Sequence, residues 1–170
     1  MTRTSKTRLL ALLLAAILLC LSACNGAGGG TAGTFSVESV TCAPGEDVTV
    51  RVTVANNPGL SGINLRLYFG GADCGGHLAP HSFSAWQVGG MAASNANDPA
   101  YTPAPSYPYV TLVWAGTSAV SENGTVFSLS FRVAEDAPLG TYPLTLTVTE
   151  CANADGKVEM QVKDGTLTVR

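Results

Sequence analysis

The feature that most constrains the fold of this chain is a strict alternation of apolar and polar residues in one segment after another. Between residues 48 and 54, four valines alternate with two threonines and Arg51. The same pattern recurs at residues 63–69, 110–114, 127–133 and 142–148. Alternation with a period of two, in segments rich in Val, Thr and aromatic residues, is typical of antiparallel strands that bury one face.

Turn signals separate these alternating segments. They are the dipeptides Pro44-Gly45, Pro58-Gly59, Asn123-Gly124, Leu139-Gly140, Asp155-Gly156 and Asp164-Gly165. Several strands with one apolar face each must bury those faces against one another. The sequence therefore predicts an all-β protein, built as a β-sandwich of two antiparallel sheets. In this phase Trp114 lies in the core with Val110 and Leu112.

The N-terminus has the composition of an export signal. Arg3, Lys6 and Arg8 form a basic start, and the apolar run Leu9–Cys20 follows. That run is shorter than the about 20 residues that a membrane-spanning helix needs, and it fits the apolar region of a secretory signal. The sequence predicts a signal peptide at residues 1–23.

The residues at the end of this predicted signal indicate how the chain is anchored to the membrane. Leu21-Ser22-Ala23-Cys24 resembles the bacterial lipobox, in which cleavage precedes a Cys that then receives lipid. We expect Cys24 to be lipidated, since several acyl chains on one residue give stable anchoring. The alternative is an ordinary signal cleaved after Ala23, with an incidental Cys.

The mature chain then consists of a tether and one domain. Residues 24–33, with their many glycines, predict a flexible tether, and residues 34–170 suffice for one domain with one core. Three of the nine basic residues precede the cleavage site, so six remain against twelve acidic residues. An acidic surface argues against nucleic acid and against electrostatic adhesion to lipid, which leaves the lipid anchor as the membrane contact. The predicted location is extracytoplasmic, on the bacterial cell membrane.

Residues 70–108 do not follow the alternating pattern. They are rich in Gly, Ala, Pro, Ser and Asn, and only Phe83–Val88 is typical of a strand. A long irregular insertion in a compact domain is usually functional or mobile. Its aromatic residues Trp86, Tyr101 and Tyr107 are candidates for stacking on a glycan. The alternative is that these rings fold back and cover the open end of the sandwich.

Three cysteines remain in the predicted domain: Cys42, Cys74 and Cys151. Outside the cell a disulfide is permitted, so at most one pair forms and one thiol is left over. The sequence does not choose the pair. Cys74, His77 and His81 have the spacing of half a metal site, but the segment lacks a fourth ligand, so we predict no metal and no cofactor.

The chain lacks the sequence patterns of an active site. Both histidines lie in one segment, and no Ser occupies a G-x-S-x-G elbow. The carboxylates of Glu46-Asp47 and Glu135-Asp136 are adjacent in predicted turns, where side chains diverge rather than converge on a substrate. No EF-hand calcium loop or phosphate-binding loop is found. The sequence predicts a protein that is not an enzyme.

The order of motifs along the chain gives a more specific indication. An opening strand leads to APGEDVTVRVTVANNPGLSGINLRLYF, and a variable middle is followed by VTLVWAG, NGTVFSLSFRVAEDAPLGTYPLTLTV and DGTLTV. This order resembles that of cohesin domains, and of the wider superfamily of carbohydrate-binding modules that share the cohesin jelly-roll. The resemblance covers residues 34–170. Its most specific parts are the Asn-Pro-Gly turn into the strand at 57–69 and the G-x6-F-x-V pattern at 124–133.

The resemblance implies a partner and a binding face. Cohesins receive dockerin modules, which fold around calcium loops, so calcium would reside on the partner. The strands at 61–69, 109–115 and 141–149 would share one sheet, and the outer face of that sheet would bind. It would carry Asn64, Arg66, Tyr68, Tyr109, Thr111, Val113, Thr145 and Thr147. Tyr and Arg are enriched at protein interfaces, although an antiparallel sheet also commonly leaves one polar face in solvent.

Three functions follow from these observations. The first is a surface-anchored, non-catalytic module that recruits dockerin-bearing enzymes or proteins in polysaccharide degradation. The second is direct binding of a polysaccharide through the aromatic residues of the 70–109 segment. The third is a structural role in the cell envelope, with no separate ligand.

Overall fold

A computed structural model describes residues 33–85, 88, 100–103 and 108–170. All of these residues fall within one compact unit, Ala32–Arg170. Its strands are β1 (Thr34–Val37), β2 (Val40–Cys42), β3 (Asp47–Ala55), β4 (Leu60–Phe69), β5 (Leu78–Ala85), β6 (Ala100–Thr102), β7 (Tyr109–Val120), β8 (Gly124–Val133), β9 (Gly140–Asn153), β10 (Gly156–Lys157), β11 (Gln161–Lys163) and β12 (Gly165–Val169). Within the described residues, no helix has the length and apolar character needed to cross a membrane.

The strands form two sheets. A five-stranded sheet has the order β11-β1-β3-β8-β5, and a seven-stranded sheet has the order β2-β12-β9-β4-β7-β6, with β10 paired to β9. Most neighbouring strands are antiparallel, while β1–β11 and β2–β12 are parallel. The predicted all-β sandwich is confirmed. The strands predicted to share one sheet, now β4, β7 and β9, are indeed neighbours with β4 in the middle.

The core lies between the inner faces of the two sheets. The alternation seen in the sequence is the alternation of burial. Every second residue of β3 is buried, with exposed or half-buried residues between, and from Ile63 onward β4 alternates buried and half-buried residues. Phe69 of the seven-stranded sheet stacks on Phe131 of the five-stranded sheet, with ring centroids 5.7 Å apart. Trp114 is 2% exposed, so its predicted place in the core is confirmed. Burying such a large apolar side chain stabilises the fold by about 2–3 kcal/mol.

A polar network fixes the direction in which the central strand β4 begins. The Asn57 side chain accepts hydrogen bonds from the backbone N–H groups of Gly59 and Leu60, each at 3.2 Å. Its Nδ2 donates to the carbonyl of Glu122 at 2.8 Å. Gly59 has φ of +82°, a conformation that favours glycine. This turn therefore starts β4 in the register that puts Ile63, Leu65 and Leu67 in the core.

The prediction for the middle segment was wrong in one respect. Residues 71–74 form a short helix, α1 (Gly71–Cys74), a 3-10 turn follows at Gly75–His77, and Leu78–Ala85 is an edge strand paired to β8. The predicted strand at Phe83–Val88 shares residues 83–85 with the end of β5, while residues 86–87 lie outside the described residues. The register of β5 shifts between Pro80 and Ser82, and this irregularity breaks the period of two by which a strand is identified. Proline is tolerated there because β5 is an edge strand.

Candidate binding face

The outer face of β4, β7 and β9 consists of three rows of side chains that cross the three strands. In the first row Tyr109, Tyr68 and Thr145 lie side by side; in the second, Thr111, Arg66 and Thr147; in the third, Val113, Asn64 and Glu150. Directly opposed residues have Cβ atoms about 5 Å apart, so members of a row are in contact distance. The structure thus brings all eight residues predicted for the partner face onto one surface.

Two of these rows form a cluster of aromatic rings and one cation. The rings of Tyr68 and Tyr109 lie 5.1 Å apart at an angle of 45°. The guanidinium carbon of Arg66 lies 5.5 Å from the centre of the Tyr109 ring. Aromatic and cation–π contacts of this kind contribute about 0.5–1.5 kcal/mol each. The cluster is therefore held in place before any partner arrives.

Two buried polar atoms on this face have no hydrogen-bond partner in the part of the chain that the structure describes. Arg66 Nε and Asn64 Oδ1 are buried, and neither has a partner among the described residues. Arg66 also forms no ion pair with any carboxylate in the described part of the chain. A buried polar group without a partner costs about 1–3 kcal/mol, so each such group in a native fold requires an explanation.

Two shallow depressions lie on this face, one beside the first row and the other beside the third row. One has a volume of about 290 Å³ and is lined by Tyr68, Phe69, Gly71, Pro143, Thr145 and Thr147. The other has a volume of about 170 Å³, and Gly62, Asn64, Val113 and Glu150 contribute to its lining. Gly62 is paired with Ala115 on one side and Ala152 on the other, so no large side chain fills the second depression.

Sequence reasoning missed Glu150. Alternation along β9 predicts that odd-numbered residues face outward, but the register shifts where β9 passes between Asn64 and Leu65. This β-bulge turns Glu150 outward beside Asn64 and Cys151 inward opposite Ile63. The signal in the sequence was the spacing of Val148 and Cys151, because two apolar residues three positions apart share a face of a strand only across a bulge.

The candidates for glycan stacking are not tested. Trp86 and Tyr107 lie outside the described residues. Tyr101 lies in β6, opposite Val110 of β7. The lipidation candidate Cys24 also lies outside the described residues, so these four assignments stay predictions.

The residues of the half metal site point to different neighbours. Cys74 is fully buried, His77 Nδ1 lies 3.2 Å from Asp136, and His81 Nε2 lies 3.5 Å from Asp47. Within the described ranges, no group of three metal-ligating side chains converges. Cys74, like Cys42 and Cys151, is a buried thiol without a disulfide bond in this structure.

The fold and the outer face together define a class of protein: a two-sheet, mostly antiparallel sandwich with a partly aromatic outer face. No protein-family model matches the chain, and no curated protein matches it in sequence. Solved structures do match. A non-cellulosomal cohesin from the hyperthermophilic archaeon Archaeoglobus fulgidus has a TM-score of 0.65 at 21% identity, over 82% of this chain and 92% of that one.

Two further matches are cohesins solved with their dockerins. The OlpA cohesin from Clostridium thermocellum, in a type I cohesin–dockerin complex, has a TM-score of 0.69 at 13% identity, over 82% of this chain and 100% of that one. The third ScaC cohesin from Acetivibrio cellulolyticus, in complex with the ScaB dockerin, has a TM-score of 0.67 at 17% identity, over 81% and 98% of the two chains. The chain therefore has the cohesin fold, as its motif order predicted.

Proposed function

We propose that this chain is a non-catalytic binding module that receives a dockerin-type protein module on the outer face of β4, β7 and β9. The observation that carries the proposal is the face itself: three ordered rows with a Tyr–Tyr–Arg cluster at one end and Asn64 and Glu150 at the other. Several structures with the same fold were solved in complex with dockerins. Calcium would belong to the partner, whose loops it would hold in shape.

The unpaired polar atoms support a protein partner. An interface that covers this face would exclude water from the guanidinium of Arg66 and from the amide of Asn64, and would supply hydrogen bonds to both side chains. Tyr and Arg contribute most to binding energies when an interface buries them, and a partner that covers this face would bury Tyr68, Tyr109 and Arg66. Arg66 Nε and Asn64 Oδ1 are already covered in the free domain, so a partner would bind the remaining polar atoms of these two half-buried side chains.

We propose further that the module sits at the cell surface and acts in polysaccharide degradation, where it would recruit enzymes that carry dockerins. The support for the location is the apolar run Leu9–Cys20 followed by the four residues that end in Cys24. A Cys24→Ser variant tests the anchor: it should leave the membrane fraction and lose incorporation of labelled fatty acid. Persistence of both in the variant would contradict lipidation at Cys24.

The test of binding is a pull-down from the secreted proteins of the organism that makes this chain, with the whole chain as bait, in calcium and again in a chelator. Captured proteins are identified by mass spectrometry. We expect capture in calcium of proteins that carry paired EF-hand-like loops, and loss of that capture in the chelator. Capture of no such protein in either buffer would contradict the proposal and make purified polysaccharides the next ligands to test.

A matched pair of variants assigns the binding to one face. Tyr68→Ala with Arg66→Ala should abolish capture, because it removes two of the three side chains of the Tyr–Tyr–Arg cluster. The control is Thr53→Ala with Arg51→Ala, since both residues lie on the outer face of the five-stranded sheet. Equal capture by the two double variants would place the binding site elsewhere.

A further inference from the structure

The three buried cysteines lie at two different ends of the sandwich, and this difference limits which of them can be joined. Cys42 ends β2, Cys74 ends α1, and Cys151 lies near the end of β9. A disulfide requires Cα atoms no more than about 7 Å apart. The register of the strands excludes two of the three possible pairs.

Cys151 is too far from Cys42. Cys42 is paired with Val169 of β12, and Val169 is paired with Gly140 at the start of β9. Gly140 and Cys151 lie near opposite ends of the same strand, a separation on the order of 30 Å at about 3.3 Å per residue. This pair is excluded in the folded chain.

Cys151 is also too far from Cys74. Cys151 lies opposite Ile63, near the start of β4, whereas α1 begins directly beyond Phe69 at the other end of that strand. Ile63 and Phe69 are separated by about 20 Å of extended chain. The backbone N–H of Cys74 donates to the carbonyl of Gly70 at 3.1 Å, which holds Cys74 at this far end.

Two sets of contacts bring Cys42 and Cys74 to the same end of the sandwich. First, the backbone N–H of Gly70, one turn from Cys74, donates to the carbonyl of Pro143 at 3.1 Å. Pro143 lies three residues from Gly140, which is linked to Cys42 through Val169 of β12. Second, Gly45, in the turn after Cys42, donates to Val133 at 3.1 Å, and Val133 is paired with Leu78, just beyond α1. Both thiols are buried, with exposures of 6% and 0%.

We infer that Cys42 and Cys74 form a disulfide when the chain folds under oxidising conditions, and that Cys151 remains a buried thiol. The bond would tie the edge strand β2 to the helix that closes this end of the sandwich. Each thiol loses one proton and one electron as the S–S bond forms. The electrons and protons pass to the disulfide of a thiol–disulfide oxidant, which is released as a dithiol.

The burial and the raised pKa values of the thiols indicate at which stage of folding this bond forms. Burial, together with the smaller effect of the charge of nearby Cys42, raises the pKa of Cys74 to about 11. Burial likewise raises the pKa of Cys151 to about 11. Because the thiolate is the reactive form, the folded chain protects its cysteines from oxidants, so the bond forms during folding rather than after it.

The test is oxidative refolding of the full chain, with Cys20→Ser and Cys24→Ser so that three cysteines remain. The chain is unfolded with guanidinium and a reductant, then diluted into detergent buffer that contains reduced and oxidised glutathione. Free thiols are alkylated, and the digest is mapped by mass spectrometry. We expect one linked peptide that joins Cys42 to Cys74, with Cys151 alkylated. A link that includes Cys151, or no intramolecular link, would overturn the inference.

Two single variants and a measurement of the Tm test the pairing further. Cys151→Ser should keep the link, while Cys42→Ser should abolish it. Reduction should lower the Tm of the oxidised chain by on the order of 10 °C, because the bond restricts the unfolded chain, and should not change the Tm of Cys42→Ser. An equal Tm with and without the link would contradict a bond that fits the native geometry.

Formation of the disulfide in the cell rests on the extracytoplasmic location proposed above. The same chain is therefore also produced with its native export segment, and its thiols are trapped by alkylation before lysis. A link in the cell as well as after refolding supports both proposals. A link after refolding but not in the cell contradicts the proposed location and leaves the pairing supported.

Discussion

The two sheets of this sandwich share a core but differ in what they present on their outer faces. On the five-stranded sheet, Thr49 and Ser130 share a hydrogen bond of 2.7 Å between their hydroxyl groups. Its arginines face carboxylates: Arg51 lies 3.1 Å from Glu38, and Arg132 lies 3.7 Å from Asp47. These polar groups are paired with one another within the chain.

The outer face of the seven-stranded sheet is arranged differently. Arg66 lies over an aromatic ring rather than beside a carboxylate, and its Nε and the Oδ1 of Asn64 have no hydrogen-bond partner among the described residues. The two faces therefore differ in how far their polar groups are paired within the described part of the chain. One face is complete in the free domain, whereas the other has polar groups and aromatic rings that a partner would complete.

The largest expected difference is in affinity for the partner. Arg66→Ala should weaken binding of a captured dockerin-bearing protein by about 30-fold or more, because arginines at the centre of an interface contribute about 2 kcal/mol or more. Arg132→Ala, the matched change on the opposite face, should alter the affinity by less than about twofold. Calorimetric titration of both variants measures this difference, and similar losses would refute the distinction between the faces.

A smaller effect on stability is expected on the paired face. Thr49→Val keeps the shape of the side chain but removes the hydroxyl that Ser130 contacts, so the free energy of unfolding should fall by about 1 kcal/mol. Denaturation in urea of Thr49→Val, Ser130→Ala and the double variant isolates the coupling between the two hydroxyls. Additive losses would show that this hydrogen bond contributes nothing to stability.

On the outer face of the seven-stranded sheet, replacing a polar residue by Val should have the opposite effect on the free energy of unfolding. Asn64→Val removes a buried acceptor that has no partner in the described structure and introduces a residue that suits a strand. We expect the free energy of unfolding to rise by about 0.5–1 kcal/mol while partner binding weakens. A loss of stability in urea denaturation would mean that Asn64 is already satisfied in the free domain.

The smallest effect concerns the depression beside Asn64. A Cβ at Gly62 would lie 3.8 Å from the Trp114 carbonyl and 4.0 Å from Ala152, both ordinary contacts. Gly62→Ala should therefore raise stability by about 0.5 kcal/mol and weaken binding a few-fold. Gly165→Ala is the control, because its Cβ would lie 2.6 Å from the carbonyl of Glu38 and should destabilise the fold. Thermal unfolding that lowered the Tm of both variants alike would argue against an open space at Gly62.

Most of the fold could be predicted from the sequence, since period-two alternation is a local property. The segments around Val50, Leu65, Leu129 and Leu144 identified their strands, and the phase of each strand placed its apolar residues inside. The predicted face could be assembled for the same reason, once a resemblance supplied the order of the strands. The edge strand β5 could not, because its irregular register hides its period.

The sequence by itself determined which residues of the regular strand segments face the core, because burial there follows alternation along a single chain. Only the tertiary structure decided what those residues meet, because contacts between strands depend on register. The bulge that turns Glu150 outward beside Asn64 and the placement of Arg66 over Tyr109 arise from pairings between residues far apart in the sequence. The position of Cys74 at the same end of the sandwich as Cys42, and not as Cys151, arises in the same way, from the order in which the strands are joined.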